Sequence, residues 1–509
     1  MRHEASHHNT PKRLLVRGFD SSHTYGVLQE LLDRCELETF HFMFDPLHYP
    51  ERPRLPVPKG TQYHERAVYD LQEGNFGEDT GRITPLDESF VREMAYCETI
   101  VLRMAERMLG PKVAFYNFRK ALYLRQLRYW NHFLREARID FALFHTLPHA
   151  PVDYIIYELC KKLGIPTLYF DKTPVTDSLF HGYDWEECGS RFGARYKELK
   201  LAQGTGAVEL RKEFDEQYRK QTSGEKPSYV HVEIEYAARA RELALVNRIK
   251  RSATRFTAAF KQKPLAKLGQ FVDVDYWHGK KHSIVRENEK LFAFYNSHVS
   301  KPDFSEKFVF VPLHYQPEAT TSPMSGAFAD QVLIAQMIQS VLPSGWKLYV
   351  KEHPGQEADC RDVEFYEDLL KLPDVRLIAR DVPSVDLIAH CQAIGTGTGT
   401  AGWESLFRQK PVLLFGHCYY QYAPGVHRIS STADCREAIG QVQRGAHPTR
   451  DELRLFLRAM QDECLRAVVE PVFCRISKLP REQNVRNLVE LILREMEDRR
   501  PRNASASRS

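Results

Sequence analysis

The amino-acid sequence predicts an α/β chain: two doubly wound, Rossmann-like domains facing a cleft, with a helical insertion between them. Three observations carry this. At 509 residues the chain exceeds the ~250–300 residues at which a single hydrophobic core stops growing. In both halves, apolar runs of strand length alternate with segments of helical period, the pattern of a parallel sheet with helices on its faces. Between the halves that rhythm stops and long charged helical segments take over. The boundaries that follow are 1–180 for the first domain, 181–302 for the insertion, 303–480 for the second domain and 481–509 for a last helix and a disordered tail.

The first domain opens with the strand "KRLLVRG", a helical stripe in "SSHTYGVLQELLDR" and the strand "ETFHFMF", a β-α-β start. The proline-rich piece from Pro46 to Lys59 is a loop. Helices follow around Val91 to Met108 and Ala121 to Ala137. "IDFALFHTLPHAPVDYIIYELCKKLGIPTLYF" then supplies a strand, a His- and Pro-rich loop, a helix, a break and another strand. In the insertion, Leu245, Ile249, Phe256 and Phe260 share one side of a helix ringed by Arg248, Lys250, Arg251, Arg255, Lys261 and Lys263. Such a helix packs on a domain with a solvated face or lies on an anionic membrane surface. The second domain restarts with "KFVFVPL", "DQVLIAQMIQSVL", "WKLYVKEHP", "EFYEDLLKL", "VRLIA", "SVDLIAHC", "AIGTG", "WESLFRQ" and "PVLLFG", alternately strand and helix. "NVRNLVELILREMED" is the last helix, and "RRPRNASASRS" has the composition of a disordered tail.

Composition removes several classes of function. No apolar run approaches the ~18 residues of a membrane span, and the polar start "MRHEASHHNTPKR" lacks the apolar core of a secretory signal, so a cytoplasmic protein is expected. Ten cysteines stand singly, with no C-x-x-C pair, which argues against a zinc ribbon or a disulfide framework. A net charge of +4 is too small to indicate a nucleic-acid partner.

The most informative stretch is "AIGTGTGTAGWESLFRQKPVLLFG", with G-x-G-x-x-G at Gly397, Gly399 and Gly402. A dinucleotide site also needs an acid about 20 residues further on; here the next strand is followed by His417, Cys418 and two tyrosines. What remains is a strand-to-helix turn whose backbone amides suit a phosphate. Thr396, Thr398 and Thr400 add hydroxyls, and Glu404 is placed to accept from a ribose. The alternative is a turn chosen for packing.

Two further loops follow strands of the same predicted sheet. In "LYVKEHPG", strand alternation puts Lys351 and His353 on one side, suited to a phosphate or diphosphate; the plainer reading is an exposed Lys and a capped His. "VPLHYQPEATTSP" offers His314, Gln316 and Glu318 on a proline-bounded loop. The first domain answers with "FHTLPHAPVDY", carrying His145, His149 and Asp153. His149 is the first candidate for a general base, or else it caps the helix beginning after Pro151. Asp171, after the strand "TLYF", is a second base or a nucleophile, and Asp20 a third candidate. The lone D-x-D, Asp273 and Asp275, sits in the helical insertion and reads as incidental, so no metal site is expected.

Together "FVPLHYQPEATTSP", "LYVKEHP", "GTGTAGWESLFRQKPVLLFG" and "HTLPHAPVDYIIYELCKKLGIPTL" resemble the bacterial capsule polysaccharide biosynthesis family of glycosyltransferases. The resemblance is clearest from Lys307 to Ser430 and weaker from Ile139 to Phe170. It implies a GT-B fold, a nucleotide-sugar donor held mainly by the second domain, no obligatory metal and no separate cofactor. Some relatives transfer Kdo from a CMP-activated donor, and their H-P dipeptide is similar to His353-Pro354. By that likeness His353 contacts a phosphate, Gln316-Pro317-Glu318 contact the donor, and Thr398, Thr400 and Glu404 contact the nucleotide. Gly355 stands where those relatives' K-x-H-P-D pattern places its acid. The implied partners are a nucleotide sugar, a glycan or lipid-linked glycan acceptor, and peripherally the inner membrane or capsule assembly proteins. Lys351, His353 and the backbone near Gly399 would stabilise the leaving phosphate. Phosphotransfer from CDP-glycerol, sugar-nucleotide epimerisation and a non-catalytic role in capsule assembly are the alternatives on the same plan.

Overall fold

The computed structural model describes residues 11–46, 49, 51–77, 80–108, 116–204, 206, 208–223, 287–316, 318–356 and 361–499. The basic amphipathic stretch around 245–263, the Asp273/Asp275 pair, Pro317 and the tail from residue 500 lie outside these.

The described chain forms two sheets. The first has strands β1 (Arg13–Arg17), β2 (Thr39–Phe44), β3 (Gln62–Ala67), β4 (Phe141–Phe144), β5 (Thr167–Lys172) and β6 (Leu179–Gly182), in the order β3-β2-β1-β4-β5-β6. Every pairing is parallel except β5 with β6. The second has β7 (Val299–Ser300), β8 (Phe308–Pro312), β9 (Lys347–Lys351), β10 (Val375–Ile378), β11 (Ala393–Thr396), β12 (Val412–Leu414) and β13 (Val426–Arg428). Its order is β13-β12-β11-β8-β9-β10-β7, all parallel. The two doubly wound domains that the sequence predicts are therefore present.

Both faces of the first sheet are covered, which is why "FALF" is buried at every position. Alternate residues serve different cores. Leu14, Val16, Leu143 and Phe170 face helices Tyr25–Arg34 and Arg481–Asp498. Leu15, Ala142, Phe144 and Tyr169 face helices Ala95–Met108, Tyr116–Glu136 and Pro151–Leu163. The last of these starts with proline in its first turn and ends at Gly164 with φ 68°, the usual start and stop chemistry.

The boundaries differ from expectation: the first sheet runs on to Gly182, past the expected 180, and helix Ser190–Gln203, expected in the insertion, packs with the first domain. The second sheet begins at Val299, inside the stretch assigned to the insertion. After helix Thr432–Gln443 the chain returns to the first domain: helix Arg450–Glu463 packs on helix Ser190–Gln203, and helix Arg481–Asp498 on helix Tyr25–Arg34. Apolar stripes on the returning helices have their complement in the first domain, so chain order and domain membership part company.

Among the described residues, an apolar cluster that includes Trp185, Trp403 and Phe407 spans the units, and hydrogen bonds join them on two flanks. Loop 417–421 sits on 185–188 through His417 Nδ1 and Glu186 O at 2.9 Å and Gln421 Nε2 donating to Cys188 O at 2.7 Å. On another flank Ser322 Oγ donates to Ile100 O at 3.2 Å. No described helix is long and apolar enough to cross a membrane.

Candidate active site

In a doubly wound sheet the crevice opens beyond the carboxyl ends of the strands where the winding direction reverses. In the second sheet that point lies between β8 and β11, with β9 next to β8. The three polar loops flagged by sequence leave the carboxyl ends of these adjacent strands.

Lys351 ends β9. Its side chain is buried and Nζ donates to Ser384 Oγ at 2.9 Å; burial lowers its pKa against the pull of Asp381. His353 reaches the surface. Its Nδ1 accepts from Gly355 N at 3.1 Å, which leaves Nε2 to carry the proton of the neutral ring. Desolvation lowers its pKa despite Glu318 and Glu352, so at neutral pH His353 is a hydrogen-bond donor rather than a cation.

His314 is buried, and its Nε2 lies 2.8 Å from Thr396 Oγ1 and accepts from Thr398 N at 3.4 Å. Thr396 Oγ1 in turn accepts from Gly399 N at 3.1 Å. Desolvation first, then the Arg361 guanidinium and, where it is protonated, the His353 ring, push its pKa down to about 4. A neutral ring with Nε2 as acceptor thus stitches the turn after β11. Thr398 Oγ1 donates to Thr320 O at 2.7 Å. Thr396 and Thr398 are 1% and 5% exposed, and their hydroxyls are committed to the turn and the loop above it.

The glycines have the same cause. Gly397, Gly399 and Gly402 are not among the glycines with positive φ; they are small because neighbours are close. A Cβ on Gly399 would stand 2.9 Å from Thr396 Oγ1 and 3.3 Å from the His314 ring, and one on Gly402 would stand 2.6 Å from Tyr420 Oη. That hydroxyl donates to Gly399 O at 2.6 Å. On the open side are Thr400, exposed at the start of helix Thr400–Leu406, and Glu404, half-buried one turn on. First-turn amides of a helix have no intrahelical acceptor.

Gln316 is buried: its N donates to Gln356 Oε1 at 2.8 Å and its Nε2 to Ala329 O at 3.2 Å. Glu318 is exposed and accepts from Thr320 Oγ1 at 2.8 Å. Residues that the sequence does not announce tie these loops together. Arg361 Nε meets Glu352 Oε2 at 3.1 Å, Arg361 Nη2 donates to His314 O at 3.2 Å, and Arg361 Nη1 donates to Gln316 Oε1. Gln331 Oε1 accepts from His314 N at 2.7 Å. The one available signal was Glu352, whose alternation within "VKEHP" turns it away from Lys351 and His353, into the domain.

In the first sheet the reversal lies between β1 and β4. Gly18 and Phe19 leave β1 with φ 82° and 63°, which turns Asp20 back under the loop. Arg17 Nε lies 3.0 and 3.1 Å from the carboxylate oxygens of Asp153, and its Nη1 is 3.8 Å from Asp20 Oδ2. Asp20 Oδ2 also accepts from Asp45 N at 2.5 Å. Asp153 and Asp20 are thereby held in a buried charge cluster. His145 is buried against Gly18 with Nδ1 3.2 Å from Arg17 O. His149 is half-buried, with Nδ1 2.7 Å from Leu147 O. Donation to that carbonyl leaves Nε2 as the acceptor. The capping reading is corrected: the N-cap of helix Pro151–Leu163 is Ala150, with no side-chain cap. Asp171 stands apart near the end of β5, half-buried, where Oδ1 accepts from Lys172 N at 2.8 Å. Desolvation and then Glu470 raise its pKa to about 7.

Residues 305–451 match the family model described as capsule polysaccharide biosynthesis protein, in the region where the sequence resemblance is clearest. Among solved structures, the chain is similar to a KpsC beta Kdo 2,7 transferase of Thermosulfurimonas dismutans at 12% identity and TM-score 0.31, over 71% of this chain and 89% of that one. It is similar to a trehalose-6-phosphate protein of E. coli bound with UDP-2-fluoro glucose at 10% identity and TM-score 0.29, over 96% and 99%. A UDP-GlcNAc 2-epimerase of Neisseria meningitidis gives 12% and 0.24, over 94% and 99%. No curated protein matches the chain.

Proposed function

We propose that this chain, whose second domain carries the capsule polysaccharide biosynthesis pattern, is a glycosyltransferase that moves a sugar from a nucleotide-sugar donor to a surface or capsular glycan acceptor. The observation that supports the reading is that Lys351 and His353, after β9, and the 396–400 turn, after β11, follow the carboxyl ends of the two strands that flank β8 at the reversal point of the second sheet. As the bond from the sugar's anomeric carbon to the leaving phosphate breaks, negative charge grows on the phosphate. The Nε2–H of His353, the ammonium of Lys351 and the first amides of helix Thr400–Leu406 are donors suited to that charge, and preorganised donors are where catalysis gains most. Glu404 accepts from the ribose. Glu318 lies on the exposed side of the same rim.

The first domain supplies the acceptor and its base. His149, whose Nδ1–H is directed to Leu147 O so that Nε2 is the basic nitrogen of the ring, is the first candidate, and Asp171, with its raised pKa, the second. Protein donors neutralise the phosphate in this reading, which therefore requires no metal. A lipid-linked acceptor would bring the chain to the inner face of the cytoplasmic membrane.

The test is to incubate the pure protein with CMP-, UDP- and GDP-sugars, with and without EDTA, and to follow nucleotide release and product mass. An added sugar supports transfer; an added glycerol phosphate or an isomer of unchanged mass would replace it with phosphotransfer or epimerisation. Failure to bind any of the three donors removes the reading.

A further inference from the structure

We infer that Glu352 and Arg361 are positioning residues: their buried ion pair sets the geometry at which the loops after β8 and β9 present His353 and hold His314. The inference rests on the proposed donor site for its meaning.

The pair is 0% and 1% exposed. Withdrawing two charges from water is costly, and an apolar pair of equal volume often serves stability as well or better. Stability alone therefore does not account for it. What it does uniquely is connect. Glu352 Oε1 accepts from the backbone of His353 at 2.6 Å. Glu352 Oε2 accepts from Arg361 Nε at 3.1 Å and from Tyr366 Oη at 2.7 Å. Arg361 spends its two remaining nitrogens on the His314 carbonyl, at 3.2 Å, and on the Gln316 side chain. The backbone N–H of Glu352 donates to Tyr295 Oη at 3.0 Å, and that hydroxyl donates to Ile378 O at 2.6 Å. The ion pair thus ties the chain leaving β8 to the chain leaving β9, while the link through Tyr295 to the end of β10 is made by the Glu352 backbone and does not depend on its side chain. The planar guanidinium reaches two loops at once, which a lysine ammonium cannot do in the same geometry.

The experiment separates positioning from support. Arg361→Met leaves a buried carboxylate unpaired and is expected to lower the melting temperature. The double variant Glu352→Leu/Arg361→Met, apolar on both sides, is expected to recover it. Nucleotide-sugar affinity, measured by calorimetry with whichever CMP-, UDP- or GDP-sugar the parent binds, is expected to remain at least ~10-fold weaker in the recovered double variant. Parental affinity in a folded double variant overturns the inference. Should that variant not fold, Arg361→Lys takes its place, and parental affinity there overturns it equally.

A second readout needs no ligand. Ring nitrogen shifts of the parent should report His314 protonated at Nδ1 and His353 at Nε2, and loss of one or both fixed tautomers in the variants supports positioning. Unchanged tautomers throughout overturn it. A parent that binds no donor but shows these tautomer changes would sink the proposed function and leave the positioning role standing.

Discussion

His314 makes the second domain acid-labile in a way that can be calculated. Its folded pKa is about 4, against an unfolded value near ~6.5. The unfolded state therefore binds more protons in the window between these values, and stability falls as pH falls through it. Between pH 7 and pH 5 this one ring costs about 2 kcal/mol, rising to about 3 kcal/mol by pH 4. The perturbation is His314→Gln, whose amide oxygen can still accept from Thr398 N and Thr396 Oγ1 but which does not titrate. Urea unfolding followed through tryptophan fluorescence at pH 7 and pH 5 gives the stability loss for each protein, with the buried Trp403 and Trp346 as second-domain reporters. The parent should lose about 2 kcal/mol more than the variant over that interval. His41, held at about 4 in the first domain, is present in both proteins and cancels. Equal losses in parent and variant would mean that His314 is not held neutral, and the account of it as the acceptor that stitches the turn would fall.

Lys351→Met removes a buried ammonium whose pKa burial already lowers, so thermal stability should hold or rise while donor affinity drops about 10-fold, the loss of roughly one charge-assisted hydrogen bond, as calorimetry will show. Gly402→Ala drives a Cβ to 2.6 Å from Tyr420 Oη and should cost about 1–3 kcal/mol; Gly355→Ala, whose Cβ would meet nothing nearer than 3.5 Å, should unfold at the parental denaturant midpoint. If Asp171 is the base, the rate in the parent should rise through about pH 7, where its carboxyl ionises. Asp171→Asn should then cost about 100-fold or more in kcat and abolish that limb of the profile, whereas a retained limb assigns the role elsewhere.

The interior of both sheets was legible because parallel strands covered on two faces read as unbroken apolar runs: "FALF" and "FVFV" could hardly be anything else. The edges were not. β3, "QYHERA", is largely exposed, so no apolar run or alternation announces it beside the proline-rich loop, and β7 is two residues long. The returning helices were likewise invisible as such, since an apolar stripe states that a helix is covered but not by which domain. At the site, the loops and their strand ends followed from glycine, proline and histidine placement. The division of labour did not: Thr396 and His314 bond each other across two strand ends, and Thr398 bonds Thr320 in the loop after β8, which are tertiary facts. Arg361, nine positions beyond Glu352, reads as an ordinary surface charge until the fold buries it.

The return of helix Arg481–Asp498 to the first sheet has a consequence for biogenesis. Leu488, Val489, Ile492 and Met496 close a core whose other wall, Leu14, Val16, Leu28 and Leu31, is translated ahead of the second unit. On the ribosome the first sheet is translated before the second unit but completed after it, since helix Arg481–Asp498 emerges only once that unit has been made. Expressing the amino-terminal half alone, or halting translation before the last helix, leaves that greasy surface bare, so such fragments should be recovered with chaperones or in inclusion bodies rather than as free domains.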